Sequence, residues 1–448
     1  MGPETSLLAI ECSVAAELAV KRERKSDMKT TIRSGVQLAA PALALALSVS
    51  SAVADGFRNP PPGAAGLGRG NAFAAQADDA SAISYNPANL AFLTAPEAEV
   101  ALSLVSSETK FRAAAGFAAD SDNAWQALPN VFVAWPLAEK VVGGLGLTTP
   151  FGQSVEWEKD SGVARISPYF ARMSLLNVNP SAGWRINDRV SVGAGLDVFA
   201  STLEFRQVVP WGALPGFPPG LPAGEARVET SGIGLGANVG LTVKLADAHR
   251  LALTYRSPVT VEYDGDFDLR GAPPVPGLGG SDFETEMDFP GIATIAYGVE
   301  LTDTVRVEAD VEWLGWSAME SLPIDAGANQ PLADPTGLGA VPYDWEDTWT
   351  FNVGADWAFA PGWIARAGYS YVPTPVPDGT FSPTLPDEDR HVVALGAGYR
   401  WGRHAVDLVW TLSLVDDRTI AGNQNPAFDG VYEIDPQLVA LSYRVQFN

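Results

Sequence analysis

Three histidines, His249, His391 and His404, are the residues around which acid–base or metal chemistry could be built. Each falls at an expected strand start or turn, and none has a partner at metal-ligand spacing. A Ser–His dyad assembled across strands would make a lipid hydrolase, but no spacing in the chain favours one. Asp264-Gly265-Asp266-Phe267-Asp268 begins like a calcium loop, yet Leu269 stands where the turn glycine belongs. Gly66-Leu67-Gly68-Arg69-Gly70 lacks the preceding strand and the third glycine of a dinucleotide site, and close backbone packing accounts for it better. The single cysteine, Cys12, precedes the region expected to fold. Nothing here calls for a cofactor, a metal or catalysis, so the chain is not expected to be an enzyme.

Binding chemistry is better supplied. The stretch Val208 to Gly224, with Trp211, Leu214 and Phe217 among five prolines, is apolar where a solvated loop would be polar. Exposed, a stretch of that kind is a landing site for a hydrophobic molecule; the alternative is a loop packed on its neighbours. Pro150-Phe151-Gly152 closes a strand pattern; proline removes a ladder donor and glycine leaves nothing to pack, so the pair predicts an inward kink and a gap in a closed wall, with an ordinary loop start as the alternative. Arg206 follows Glu204 near the end of another strand. Strict alternation from Val190 turns it outward, whereas a bulge at Val198-Phe199 would turn Thr202, Glu204 and Arg206 inward, where the arginine could meet a carboxylate.

The elements that position these residues read as strands. Ile233, Leu235, Ala237, Val239, Leu241 and Val243 alternate with small or polar residues, and Val305 to Trp313 alternate with Arg306, Glu308, Asp310 and Glu312. Trp349, Phe351, Val353, Ala355 and Trp357 put aromatics at both ends of an apolar stripe, as in a lipid-facing girdle. Such segments recur near 97–107, 128–136, 141–150, 169–185, 190–206, 226–244, 249–267, 282–301, 304–317, 344–359, 362–372, 389–402, 404–416 and 432–447. The reading is all-β: a transmembrane antiparallel β-barrel of about 14 strands, with short turns at one end and long loops at the other. A formal charge of −24 excludes nucleic acid as a partner.

Residues 28–54 read as a signal peptide, behind a start-site extension at 1–27. Residues 55–95, glycine-rich and ending in Asn86-Pro87-Ala88, are expected to form a hatch inside the barrel of 96–448. That organisation implies export to the bacterial outer membrane, with lipid and lipopolysaccharide around the wall.

The segment LGRGNAFAAQADDASAISYNPANLA resembles the hatch of the FadL/TodX family of outer-membrane transporters, as do LALTYRSPV, DVEWLGWS and TPVPDGTFSPTLPDEDRH. The resemblance implies a monomeric barrel that binds a fatty acid or hydrocarbon at an external groove and a lumenal pocket, then releases it sideways. It assigns Asn86, Pro87 and Ala88 to the gate and Thr149 to Gly152 to the lateral opening. Arg206 falls at the family's carboxylate-binding arginine, and Trp211, Leu214 and Phe217 at its external groove. Glu346 stands where fatty-acid transporters carry a lysine, which sets uncharged hydrocarbons beside long-chain fatty acids as the substrate. A weakly selective aqueous porin is the remaining alternative.

Overall fold

The computed structural model describes residues 55–122, 125–214, 216–274, 278–334 and 337–448. The expected start-site extension, 1–27, and the expected signal peptide, 28–54, lie outside the described residues. Fourteen antiparallel strands form the wall. They are β1 (Glu97–Ala113), β2 (Gln126–Ala138), β3 (Val141–Thr148, continued by Gly152–Glu156), β4 (Phe170–Arg185) and β5 (Val190–Val209). Next come β6 (Gly224–Ala246), β7 (His249–Arg256, continued by Val259–Arg270), β8 (Ser281–Phe289, continued by Ile292–Thr302), β9 (Val305–Leu314) and β10 (Thr348–Ala360). The last four are β11 (Trp363–Val372), β12 (Arg390–Trp401), β13 (His404–Val415) and β14 (Gly430–Gln446). Pairing of β1 with β14, from Glu97↔Gln446 to Ala113↔Gly430, closes the cylinder and leaves no free edge.

Alternation sorts the side chains. Leu196, Leu235, Trp349, Trp357, Leu408 and Trp410 point outward and are exposed, forming the apolar band and its aromatic girdles. Turns of a few residues join strands at the end that holds Glu97 and Gln446, where periplasmic turns are expected. The long connections lie at the other end, the one expected to face outward from the cell.

Three strands are interrupted. In β3 the ladder stops at Thr148 and resumes at Gly152. In β7 it stops at Arg256, directly across from the stop in β8 at Ile292, so that Ser257-Pro258 faces Pro290-Gly291. The uninterrupted strands read at 249–267 and 282–301 are therefore each broken, because Pro258 and Pro290 have no N–H to give the ladder.

Residues 57–92 pack inside the cylinder and are almost wholly buried. Pro87–Phe92 forms a 3-10 turn capped by Asn86, whose side chain accepts from the Ala88 N–H at 3.0 Å. Polar lumenal residues of the wall satisfy the backbone groups that this irregular segment leaves open.

Candidate functional site

The lumen has two tiers. The outer tier is aromatic. The Phe57 ring sits 4.9 Å from Trp316, 5.1 Å from Trp345, 5.5 Å from Phe289 and 6.0 Å from Phe151, all fully buried. Met173, Leu203, Met287, Tyr343 and Leu385 extend the apolar surface around a small cavity of about 20 Å³ beside Phe57. Buried rings packed mostly edge to face make a rigid apolar surface suited to an alkyl chain or an arene.

The inner tier is polar. A cavity of about 100 Å³ runs from Pro150 and Phe151 past Tyr85 and Pro87, and is lined by Arg58, Asn71, Arg256, Asp310 and Glu312. Arg58 grips Glu312 with two parallel bonds of 2.6 and 3.0 Å and reaches Asp55 at 3.1 Å. Arg256 pairs with the fully buried Asp197, which Asn177, Asn179 and Asn238 also approach.

The β3 interruption is held open from inside. The Asn59 N–H donates to Pro150 O at 2.9 Å, its side chain donates to Thr149 O at 2.9 Å, and the Gly152 N–H donates to Phe57 O at 2.9 Å. Backbone groups that would have paired along the wall are spent on the N-terminal segment. Phe151 swings into the aromatic tier, and the ladder between β2 and β3 ends at Val131↔Leu147.

Asn86, Pro87 and Ala88 lie across the lumenal glycines of β4, β5 and β6. A methyl group on Gly193 would overlap the Pro87 carbonyl carbon, and one on Gly183 would come 2.7 Å from the Pro87 oxygen. Asn86 donates to Ala74 O at 2.8 Å and to Thr242 Oγ1 at 2.9 Å. The polar cavity connects Pro87 with Pro150, so the turn and the kink line one space.

One strand, β9, reads out the segment step by step. Arg306 pairs with Asp78 at 3.0 Å, and Glu308 accepts from the Ala75 N–H at 2.7 Å and meets Arg69 at 3.5 Å. Asp310 accepts from the Phe73 and Ala74 N–H groups at 3.1 and 3.3 Å, and Glu312 takes Arg58. The charged positions of its alternation face the lumen. Gly70, at a φ of +59°, and Gly368 let Arg69 and its neighbour press against β11, the close packing expected of that glycine run.

Several expected positions differ. Arg206 is on the outer face. Pairing of β5 runs without a shift past Val198 and Phe199 on both sides, from Val190↔Val243 to Val209↔Gly224 with β6. No bulge forms, because Phe199 fills the lumenal aromatic tier while Val198 faces lipid. Arg206 instead bonds Glu204 at 2.6 and 2.8 Å. Trp211 is not an exposed landing residue. It is fully buried beneath its own loop, 5.2 Å from Phe217, and Leu214 and Phe217 are half-buried. Glu346 is exposed while its neighbour Trp345 enters the lumen. The three histidines occupy separate strands, each sharing a hydrogen bond with a tyrosine hydroxyl: His249–Tyr297, His391–Tyr369 and His404–Tyr443.

Sequence reasoning missed the external lid. Asp387 accepts from the Gly56 N–H at 3.1 Å and from Thr374 Oγ1 at 2.6 Å, joining the N-terminal segment to the loop between β11 and β12. Burial pushes its carboxyl up to about 7, against the pull of Thr374 and the nearby Arg390. Arg418 ties the same loop through Val376 O at 2.6 Å and Asp387 O at 2.7 Å. Arg390, buried at the head of β12, stands beside Asp387 and Asp55. The only signal for these was the acidic–basic density of Pro386 to His391.

Residues 45–447 match the family described as outer membrane protein transport protein (OMPP1/FadL/TodX). The chain belongs to this family. A long-chain fatty acid transport protein of Salmonella typhi is 24% identical over 438 residues, covering 91% of this chain and 97% of that one. A Pseudomonas aeruginosa FadL homologue of known structure superposes with a TM-score of 0.76 at 23% identity, covering 88% of this chain and 100% of the homologue. The Pseudomonas putida toluene transporter TodX gives 0.67 at 19% identity, with 86% and 98% covered. The FadL/TodX barrel is thus the fold, and the bacterial outer membrane its location.

Proposed function

We propose that the protein carries long-chain fatty acids passively across the outer membrane. The ligand enters from the external loops, lodges its chain in the aromatic tier around Phe57, and leaves sideways through the interruption at Thr149–Gly152 once the segment carrying Asn86-Pro87-Ala88 shifts. The observation that carries this reading is an aromatic chamber with Arg390 and Arg58 at its edge. Apolar rings favour the alkyl chain, and a buried guanidinium favours the carboxylate. Asp387, its carboxyl raised by burial, gives up its charge more readily than a solvated aspartate, which favours an anion in the neighbourhood of Arg390. The packing of residues 57–92 in the lumen supports a plugged carrier over an aqueous porin.

A second reading, uncharged hydrocarbons, is favoured by one feature: both arms of the Arg58 guanidinium are already taken by Glu312. Uptake of labelled oleate and labelled toluene, in a host lacking its own transporter of this kind, separates the two. Oleate uptake that falls about tenfold or more in Arg390→Ala and is unchanged in Arg206→Ala is the expected result. Toluene uptake with oleate excluded, indifferent to both changes, would establish the hydrocarbon reading.

A further inference from the structure

The outward face of β4, β5 and β6 carries four successive cross-strand rows, ordered by polarity. Leu176, Ala200 and Ile233 form an apolar row, and Ser174, Thr202 and Ser231 a hydroxyl row one step nearer the external end. Arg172, Glu204 and Glu229 come next, then Phe170, Arg206 and Arg227. From Ile233 down to Leu245 the outward positions of β6 are all aliphatic. At about 3.3 Å per residue and a tilt of about 40° that run spans roughly 30 Å, the thickness of a hydrocarbon core. The hydroxyl and arginine rows therefore stand at the outer hydrocarbon boundary, where glycolipid sugars and their phosphates begin.

The arginines are preorganised. Arg172 and Arg206 cover the buried Phe170 ring at 4.9 and 4.6 Å. Arg206 and Arg227 share Glu204 at 2.6 and 2.9 Å, and Arg227 also meets Glu229. Arg172 has no ion pair among the described residues. Glu225 on the same face is held by Lys159 and Tyr169, and Asp268 of β7 stands directly across from Arg227, so Arg172 is the guanidinium of the cluster left without a carboxylate among the described residues. The adjoining wall has the opposite character: Glu262, Asp264 and Asp266 of β7 stand directly opposite Glu286, Glu284 and Asp282 of β8, facing outward.

We propose that the β4–β6 face is a docking site for a phosphorylated glycolipid headgroup of the outer leaflet. The hydroxyl row meets the sugar and amide groups, Arg172, Arg206 and Arg227 hold phosphate through forked hydrogen bonds, and the acyl chains lie on the apolar band below. The carboxylates of β7 and β8 exclude the same phosphates, so that one flank of the barrel recruits the lipid.

Native mass spectrometry of the whole protein in neutral detergent tests this, using bisphosphorylated lipid A and the same lipid stripped of phosphate. The wild type is expected to prefer the phosphorylated form by about tenfold or more. Replacing Arg172, Arg206 and Arg227 together by serine removes that preference. Arg112→Ser, which alters an exposed rim arginine of β1 paired with Glu433, leaves it intact. Should the triple variant fail to fold, Arg172→Ser, which breaks no ion pair, is expected to weaken the preference by itself. Equal binding of the two lipids by the wild type overturns the proposal. So does a triple variant, or failing that Arg172→Ser, with undiminished preference.

Discussion

Arg58 of the N-terminal segment and Glu312 of β9 meet side-on, with both guanidinium arms on both carboxylate oxygens at 2.6 and 3.0 Å. The pair is mostly shielded, at 13% and 14% side-chain exposure, and spans the floor of the polar cavity. It anchors the part of the segment that holds the β3 kink.

Glu312→Ala should leave Arg58 with Asp55 as its one remaining carboxylate and cost about 3 kcal/mol in the docking of residues 55–62. Amide hydrogen exchange is the measurement. Protection should fall in 55–62 and persist in β1 and β14, which close the barrel independently. Protection unchanged in 55–62 would remove the pair from the account of how the kink is held.

Gly193→Val should displace Pro87, since even a methyl group there overlaps the Pro87 backbone. The barrel wall tolerates valine, so the variant is expected to retain heat-resistant mobility on a gel. Single-channel recordings should show openings that the wild type lacks. Silent bilayers would mean that the turn can shift without unplugging the lumen.

Asp387 makes the lid sensitive to pH. Its carboxyl is raised from 3.8 to about 7, so the folded lid binds the proton more tightly than a free chain does. Stability from this group is complete below about pH 4 and is lost as pH rises toward 7. Exchange at residues 55–58, corrected for its intrinsic pH dependence, should therefore accelerate between pH 5 and 8. Asp387→Asn keeps an acceptor for the Gly56 N–H and should flatten the profile.

Phe57→Ala removes the ring at the centre of the aromatic tier, about 3–5 kcal/mol of packing for a buried phenylalanine. The vacated space adjoins the cavity beside Phe57 and lies next to Phe151, which lines the polar one. A lipophilic fluorophore should bind the variant more tightly than the wild type, and equal affinity would place the apolar site elsewhere.

The wall was legible because lipid on one side and packed lumen on the other impose strict alternation. Even the charges of β9 announced a polar face, although which partner they met could not be read. Val198-Phe199 shows where the pattern misleads. Adjacent apolar residues arise either from a bulge or from a strand whose two faces are both apolar, and the latter holds because the lumen there is aromatic. Trp345 and Glu346 lie in a loop, where no period says which of two neighbours turns inward. Trp211 read as exposed because composition cannot distinguish an apolar loop that covers itself from one that offers a surface. The lid around Asp387 depends on contacts more than 300 residues apart in sequence, such as that with Gly56.

The closure of the barrel by β1 and β14 has a consequence for assembly. Residues 57–92 immediately precede β1, yet they finish enclosed by strands up to β14. The seam between Glu97–Ala113 and Gly430–Gln446 joins the first wall strand to the last one synthesised. An N-terminal segment that already rests against the growing inner surface when that seam zips is enclosed without having to thread a closed cylinder. The carboxylates of β9 offer it a seat on a half-built wall, before the cylinder has an inside.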